Sequence, residues 1–111
     1  MKDDSVYLRH ILESIGRVRE FTRGVSEERF LKDALVQSAV IRQLEIIGEA
    51  VKNLSPSFRK RHKNVPWKDI SGLWDKLIHG YFGVDISLVW GICEKDLPEL
   101  KGSIRSFLGE R

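Results

Sequence analysis

The stretch WDKLIHGYFGVD, Trp74–Asp85, places His79 and Tyr81 two positions apart where an amphipathic pattern stops. A histidine in the last turn of a helix lies near the negative end of the helix dipole, which stabilises the imidazolium, so we expect proton exchange near neutral pH. Such a side chain can take the proton of an RNA 2′-OH or return one to the leaving 5′-oxygen. The phenol can donate a hydrogen bond to the charged phosphate. The same pair is also typical of a helix end whose polar tips reach water.

Positive charge beside a scissile phosphate would support this chemistry, and the sequence offers two sources. Lys76 lies about one turn before His79. Arg42, Glu45 and Glu49 follow at i, i+3 and i+7 of a second predicted helix, so their side chains share one side. Two interpretations stay open for this set: an ion pair on a partly exposed stripe, or the wall of a polar cleft.

Metal and cofactor sites are not predicted. His10, His62 and His79 lack the spacing of metal ligands, and the sequence contains no phosphate-binding glycine loop or nucleophile elbow. Cys93 is the single cysteine and lies in the apolar run VWGICE, which predicts a buried, unreactive thiol.

The net charge of +3 and the pI near 9.2 allow an anionic partner without requiring one. The densest basic run is FRKRHK, residues 58–63, and Lys52 adds to it. This run is either a solvated connector or an electrostatic footprint for RNA or nucleotide phosphates.

The 111 residues fit one domain, predicted to span residues 1–111. No stretch approaches the roughly 18–20 apolar residues that cross a bilayer, and MKDDSVYLRH lacks the order of a signal peptide. We therefore expect a cytoplasmic protein.

Apolar residues recur at three- and four-residue spacing through most of the chain, and no pattern of alternation predicts a strand. The predicted fold is an all-α bundle of four to five helices. The predicted helices are Asp4 to about Arg23, ended by Gly24; Glu27 to about Asn53, capped by Ser26; a short turn over Ser57–Arg61 after Ser55-Pro56; about Trp67 to His79; and a fourth capped by Asp85, which restarts or kinks at Asp96–Pro98.

The second predicted helix is apolar over most of its circumference. Such a helix is either central in a bundle or shared with a partner subunit, because large exposed apolar patches are uncommon on monomers. We therefore expect a homodimer.

Three stretches of the chain resemble the HepT-like branch of the HEPN superfamily. They are RQLEIIGEAVKNLS, VPWKDISGLWDKLIHGYFGVD and VWGICEKDLPELKGSI, in that order and spacing. The resemblance implies an up-and-down helical bundle that forms a homodimer. The cleft at the dimer interface would hold an R-x4-6-H-x-Y motif that cleaves RNA without metal. It assigns catalytic roles to His79 and Tyr81, with Lys76, Arg42, Glu45 and Glu49 as possible supporting residues.

The resemblance also implies a partner. HepT-like toxins are paired with a small nucleotidyltransferase antitoxin of the MNT type, which in some pairs transfers AMP to the motif tyrosine. Tyr81 is therefore the expected AMP acceptor.

The motif departs from the family pattern at one position. Trp74 stands five residues before His79, where the family usually has arginine, and Asp75 stands where asparagine is common. A lysine such as Lys76 does not reproduce the two-pronged contact of a guanidinium. Three hypotheses follow: a ribonuclease with a weakened or relocated cation, an inactive homologue that binds RNA, nucleotide or the nucleotidyltransferase, or a helical dimer with a scaffolding role.

Overall fold

The computed structural model describes residues 3–78 and 85–109, without the side chains of residues 73–75, 77 and 78. Every regular element in these two ranges is helical, which confirms the all-α prediction. The helices are α1 Asp4–Thr22, α2 Glu27–Phe30, α3 Ala34–Asn53, α4 Pro56–Arg61, α5 Trp67–Ile78, α6 Ile86–Gly91, a π-helical turn Ile92–Asp96 and α7 Leu97–Phe107.

The core forms where α3 packs between α1 and α5 while α7 closes over α1. Each long helix contributes one apolar stripe, because residues three and four apart lie on the same face. The most deeply buried side chains are Ile11, Ile15, Val40, Leu44, Ile47, Val51, Phe30, Val89 and Ile104.

Several predicted helix ends are confirmed. Gly24 has φ +71° after α1, a conformation that costs a glycine little. The Ser26 side chain accepts a hydrogen bond from Arg29 N at 3.2 Å, and Ser55 Oγ accepts one from Phe58 N at 3.2 Å. Polar side chains thereby satisfy backbone N–H groups that the first helical turn leaves unpaired.

A carboxylate joins the N-terminal ends of α1 and α4. Asp4 accepts hydrogen bonds from Ser55 N and Ser55 Oγ, both at 2.7 Å. This link between residues far apart in sequence fixes the start of α1 against the turn that follows α3.

The prediction of one helix from Glu27 to about Asn53 is wrong, because the structure breaks it at residues 31–33. The Asp33 side chain accepts a hydrogen bond from Val36 N at 3.1 Å and starts α3. Gln37 Nε2 donates to the Phe30 carbonyl at 2.8 Å, which satisfies an acceptor at the end of α2. Local side-chain hydrogen bonds therefore compete successfully with a continuous helix.

The predicted restart or kink near Pro98 takes the form of a π-helical turn. Leu97 N donates to the carbonyl of Ile92, five residues earlier. Pro98 follows in the first turn of α7, where its missing N–H is least costly.

No helix in the described ranges is long and apolar enough to cross a membrane. The cytoplasmic location and the single domain over residues 1–111 stay predictions.

Candidate active site

His79 and Tyr81 lie in the segment 79–84, outside the described residues. The structure does describe both flanks of this segment. Helix α5 reaches Ile78, and Asp85 begins α6 by accepting a hydrogen bond from Leu88 N at 3.1 Å. The predictions that the helix ends at about His79 and that Tyr81 follows its end fall outside the described residues.

Helix α5 is held firmly at its beginning. Trp67 is 5% exposed, and its indole Nε1 donates to the His62 carbonyl at 3.0 Å. Ile70 is also buried, and α5 packs along α3. These contacts fix the axis that carries Lys76, which is exposed in the last turn.

The structure places Arg42, Glu45 and Glu49 of α3 in two separate ion pairs. Arg42 Nη1 lies 3.6 Å from Glu45 Oε2, with side chains 69% and 30% exposed. Glu49 instead pairs with Lys52 at 3.6 Å. Exposed pairs of this kind contribute only a few tenths of a kcal/mol. The geometry agrees with the ion-pair interpretation, and a contribution of Arg42 to the motif stays a prediction.

The position of the expected motif arginine falls within α5. The backbone of Trp74 and Asp75 is helical, and their side chains lie outside the described part. Position 74 lies about one turn before Ile78, where α5 ends in the described residues.

The basic run 58–63 serves the core as well as the surface. Phe58 is buried, and the His62 ring packs against both Phe58 and Phe107, with ring centroids 4.5 Å and 4.1 Å away. Lys60, Arg61 and Lys63 remain exposed. The segment is therefore a connector that packs on the core and exposes a basic edge. It shares features with both the solvated connector and the electrostatic footprint considered from the sequence.

Cys93 is half-buried, and burial, followed by the neighbouring charge of Glu94, raises the pKa of its thiol to about 12. The thiol is neutral at physiological pH, and a neutral thiol is a poor nucleophile. This agrees with the predicted unreactive cysteine.

A groove lies between α1 and α7 and was not predicted from the sequence. Its lining includes four basic side chains, Arg19, Arg23, Lys101 and Arg105. The i, i+4 spacing of each pair is visible in the sequence, but only the packing of α7 on α1 brings the two pairs together.

The described helices pack as a bundle, which places the chain among small all-α proteins. Residues 11–107 match the family model described as Ribonuclease HepT-like. The chain belongs to this family, which confirms the resemblance.

Related proteins come from bacteria and archaea. The chain is 47% identical to a candidate RNase of Caldanaerobacter subterraneus, over 97% of this chain and 96% of the relative. It is 49% identical to a protein of Thermococcus cleftensis named probable ribonuclease HepT, over 86% and 87% of the two chains. No solved structure matches significantly.

One relative is considerably longer. The chain is 46% identical to a protein of Methanocaldococcus jannaschii whose name joins a gamma-glutamylcyclotransferase to a candidate RNase. The match covers 98% of this chain and 49% of that protein, so the chain spans about half of it.

Proposed function

We propose that the chain is a metal-independent endoribonuclease, the toxin of a toxin–antitoxin pair, and that it acts as a homodimer. The observation that carries the proposal is the family match over residues 11–107, which includes the His79-x-Tyr81 sequence after α5. The names of the relatives from Caldanaerobacter and Thermococcus support the ribonuclease activity.

In the proposed reaction His79 acts as the proton-transfer group. It removes the proton of the RNA 2′-OH, whose oxygen attacks the adjacent phosphorus while the bond to the 5′-oxygen breaks. A proton returned to that 5′-oxygen completes the step, giving a 2′,3′-cyclic phosphate and a 5′-hydroxyl. Tyr81 donates a hydrogen bond to the phosphate, and Lys76 or Arg42 supplies positive charge.

The activity is tested by incubating purified protein with RNA in the presence of EDTA. His79→Ala should lose at least about 100-fold in rate, the lower range for a removed proton-transfer group. It should keep the helical content and the mass of the parent protein. Equal cleavage by the variant would assign the activity to another site or to a contaminant.

We propose further that an MNT-type nucleotidyltransferase neutralises the toxin by transferring AMP to Tyr81. The phenolic oxygen attacks the α-phosphorus of ATP, the bond to the β-phosphate breaks, and pyrophosphate leaves. The phenolic proton passes to a base of the transferase or to water. The added nucleotide would exclude RNA by its bulk and its charge.

Intact-mass measurement tests this modification directly. The chain is incubated with the transferase encoded beside it, ATP and magnesium. We expect a mass increase of one AMP in the parent protein and none in Tyr81→Phe, which differs by one hydroxyl. An unmodified parent protein, with a transferase active on another acceptor, would contradict the proposal.

The second candidate function is an inactive homologue that binds the nucleotidyltransferase, RNA or a nucleotide. Trp74 favours it, because the residue replaces the guanidinium expected to offset phosphate charge. In this case RNA stays intact in the EDTA assay while a complex with the transferase or RNA still forms.

A further inference from the structure

The groove between α1 and α7 has a volume of about 700 Å³ and an apolar floor with a basic rim. Ile15 and Val18 of α1 are fully buried beneath it. Trp90 of α6 lines the groove and is half-buried. The groove is therefore large enough for an extended ligand and offers it both apolar and charged surfaces.

The positive charges on the rim are arranged as two rows. Arg19 and Arg23 are four residues apart on α1, and Lys101 and Arg105 are four apart on α7. Each pair is separated by about 6 Å along its helix axis. Facing rows of cations with a regular repeat fit a ligand whose negative charges also repeat along a chain.

The charged side chains in the described lining of the groove are mainly basic. Glu94 is the one carboxylate among the described residues that line the groove. Arg23 lies 3.3 Å from Glu20, but both side chains are largely exposed, so this pair can exchange for another anion at small cost. Cys93 adds no charge, because its thiol is neutral at physiological pH.

Trp90 supplies a flat apolar surface at a fixed position. Its ring packs on the buried Phe30 ring with 5.0 Å between centroids. Aromatic rings in a basic groove are the usual platforms for the bases of single-stranded nucleic acids. Trp90 also lies five residues after Asp85, about 7.5 Å along the helix axis, and Asp85 is the first described residue that follows His79 and Tyr81 in the sequence.

We propose that the α1–α7 groove binds single-stranded RNA, with phosphates between the two basic rows and a base against Trp90. This inference rests on the proposed ribonuclease function. It assigns the groove to the part of the RNA strand that extends beyond the cleaved bond. An acidic peptide would also satisfy the charges, but the aromatic floor and the regular charge repeat favour the nucleic acid.

Binding is measured by fluorescence anisotropy with a labelled 2′-O-methyl oligoribonucleotide, whose blocked 2′-oxygen prevents cleavage. The variant Arg19→Ala/Lys101→Ala should bind about tenfold more weakly at moderate salt, since two phosphate contacts are lost. The slope of log K against log salt should fall by about 1.4. The matched control is Arg17→Ala/Lys95→Ala, which removes the same charge from exposed positions outside the groove lining.

A second variant blocks the groove without removing a basic group. Gly102 of α7 lines the groove, and a Cβ added there meets no atom within 4 Å. Gly102→Glu should fold normally, place a carboxylate between the basic rows and weaken binding about tenfold or more. Gly16→Glu is its control, because Gly16 is an equally open helical glycine outside the groove lining.

Each outcome decides for or against the groove. Equal affinity of the groove variants and their controls overturns the inference, and so does tighter binding of a polyglutamate peptide than of the oligonucleotide. Failure of the proposed function gives a different result: the parent protein leaves RNA intact, while the groove variants still lose affinity. If the parent protein cleaves RNA and the groove variants bind RNA as well as their controls do, the proposed function stands and only the groove inference is rejected.

Discussion

Trp74 stands where the family motif usually has an arginine, so the chain lacks a guanidinium at this position. A guanidinium there would place two N–H donors toward two phosphate oxygens, whereas an indole offers one donor and no charge. Two other basic residues are proposed to supply positive charge to the phosphate. Lys76 is exposed at the end of α5, and Arg42 is already paired with Glu45. The missing arginine is therefore expected to limit the rate of RNA cleavage.

We predict that Trp74→Arg raises the rate of RNA cleavage in EDTA at least tenfold. Removing one transition-state hydrogen-bond donor typically costs about 10²–10³ in rate, so adding one should raise the rate by at least this tenfold. Trp74→Lys is the matched control: it adds the same charge without the forked geometry and should gain less. An unchanged rate for Trp74→Arg would show that another step limits the reaction.

Arg42 illustrates how far side-chain chemistry can be predicted from sequence. The spacing of Arg42 and Glu45 predicted a shared helix face but left open an ion pair or a polar cleft wall, and the structure contains the ion pair. The groove residues were missed because their pairing depends on how α7 packs over α1. Spacing within one helix is local information, whereas the neighbour of a helix face is set by the tertiary fold.

At the scale of helices, the junction between α2 and α3 shows where periodicity misleads. The apolar spacing continues through Leu31 and Leu35, although the helix does not, and these two side chains are 41% and 80% exposed. Asp33 provides the interruption by capping α3. An aspartate within an apolar helical pattern is compatible with either a solvent-facing position or a cap, so the pattern alone does not decide.

We predict that Asp33→Ala lowers the free energy of unfolding by about 1 kcal/mol, the usual loss for a helix N-cap. The Val36 N–H would lose its acceptor, and the Gln37 contact with the Phe30 carbonyl would lose its fixed geometry. Urea denaturation followed by circular dichroism measures the change. Glu28→Ala is the control, since Glu28 is highly exposed in α2. Equal effects of the two substitutions would contradict the role given to the cap.

Most other helix ends were predictable, because their signals are local. Gly24, Ser26, Ser55 and Asp85 each satisfy a requirement of the adjoining backbone, and the structure shows them doing so. The π-helical turn before Pro98 was predicted only as a restart or a kink. Its form depends on which backbone bonds the packed helices allow, and the sequence pattern does not specify these.

At the scale of the molecule, the apolar surface of α3 is partly explained by packing within one chain, without a partner subunit. Its stripe of Val40, Leu44 and Ile47 is fully buried within the chain, which explains much of its apolar character. Leu35 nevertheless remains 80% exposed, and Leu88 on α6 is 44% exposed. Single exposed apolar side chains are also normal on monomers, so the homodimer stays our prediction.

We predict that the parent chain sediments as a dimer at micromolar concentration and that Leu35→Asp shifts it toward the monomer by at least tenfold in dissociation constant. A buried apolar contact would be replaced by a charge that must remain hydrated. Ser106→Asp, at an exposed position on α7, is the control and should remain dimeric. A parent protein with only the monomer mass would contradict both the dimer and a cleft shared by two subunits.

The chemistry of the cut RNA ends tests the central claim most directly. Proton removal from the 2′-OH by His79 predicts fragments with a 2′,3′-cyclic phosphate and a 5′-hydroxyl, formed in EDTA by the parent protein and not by His79→Ala. A substrate with a single 2′-deoxy nucleotide at the cleaved position should stay intact. Cleavage of that deoxy substrate, or products with a 5′-phosphate, would contradict the account.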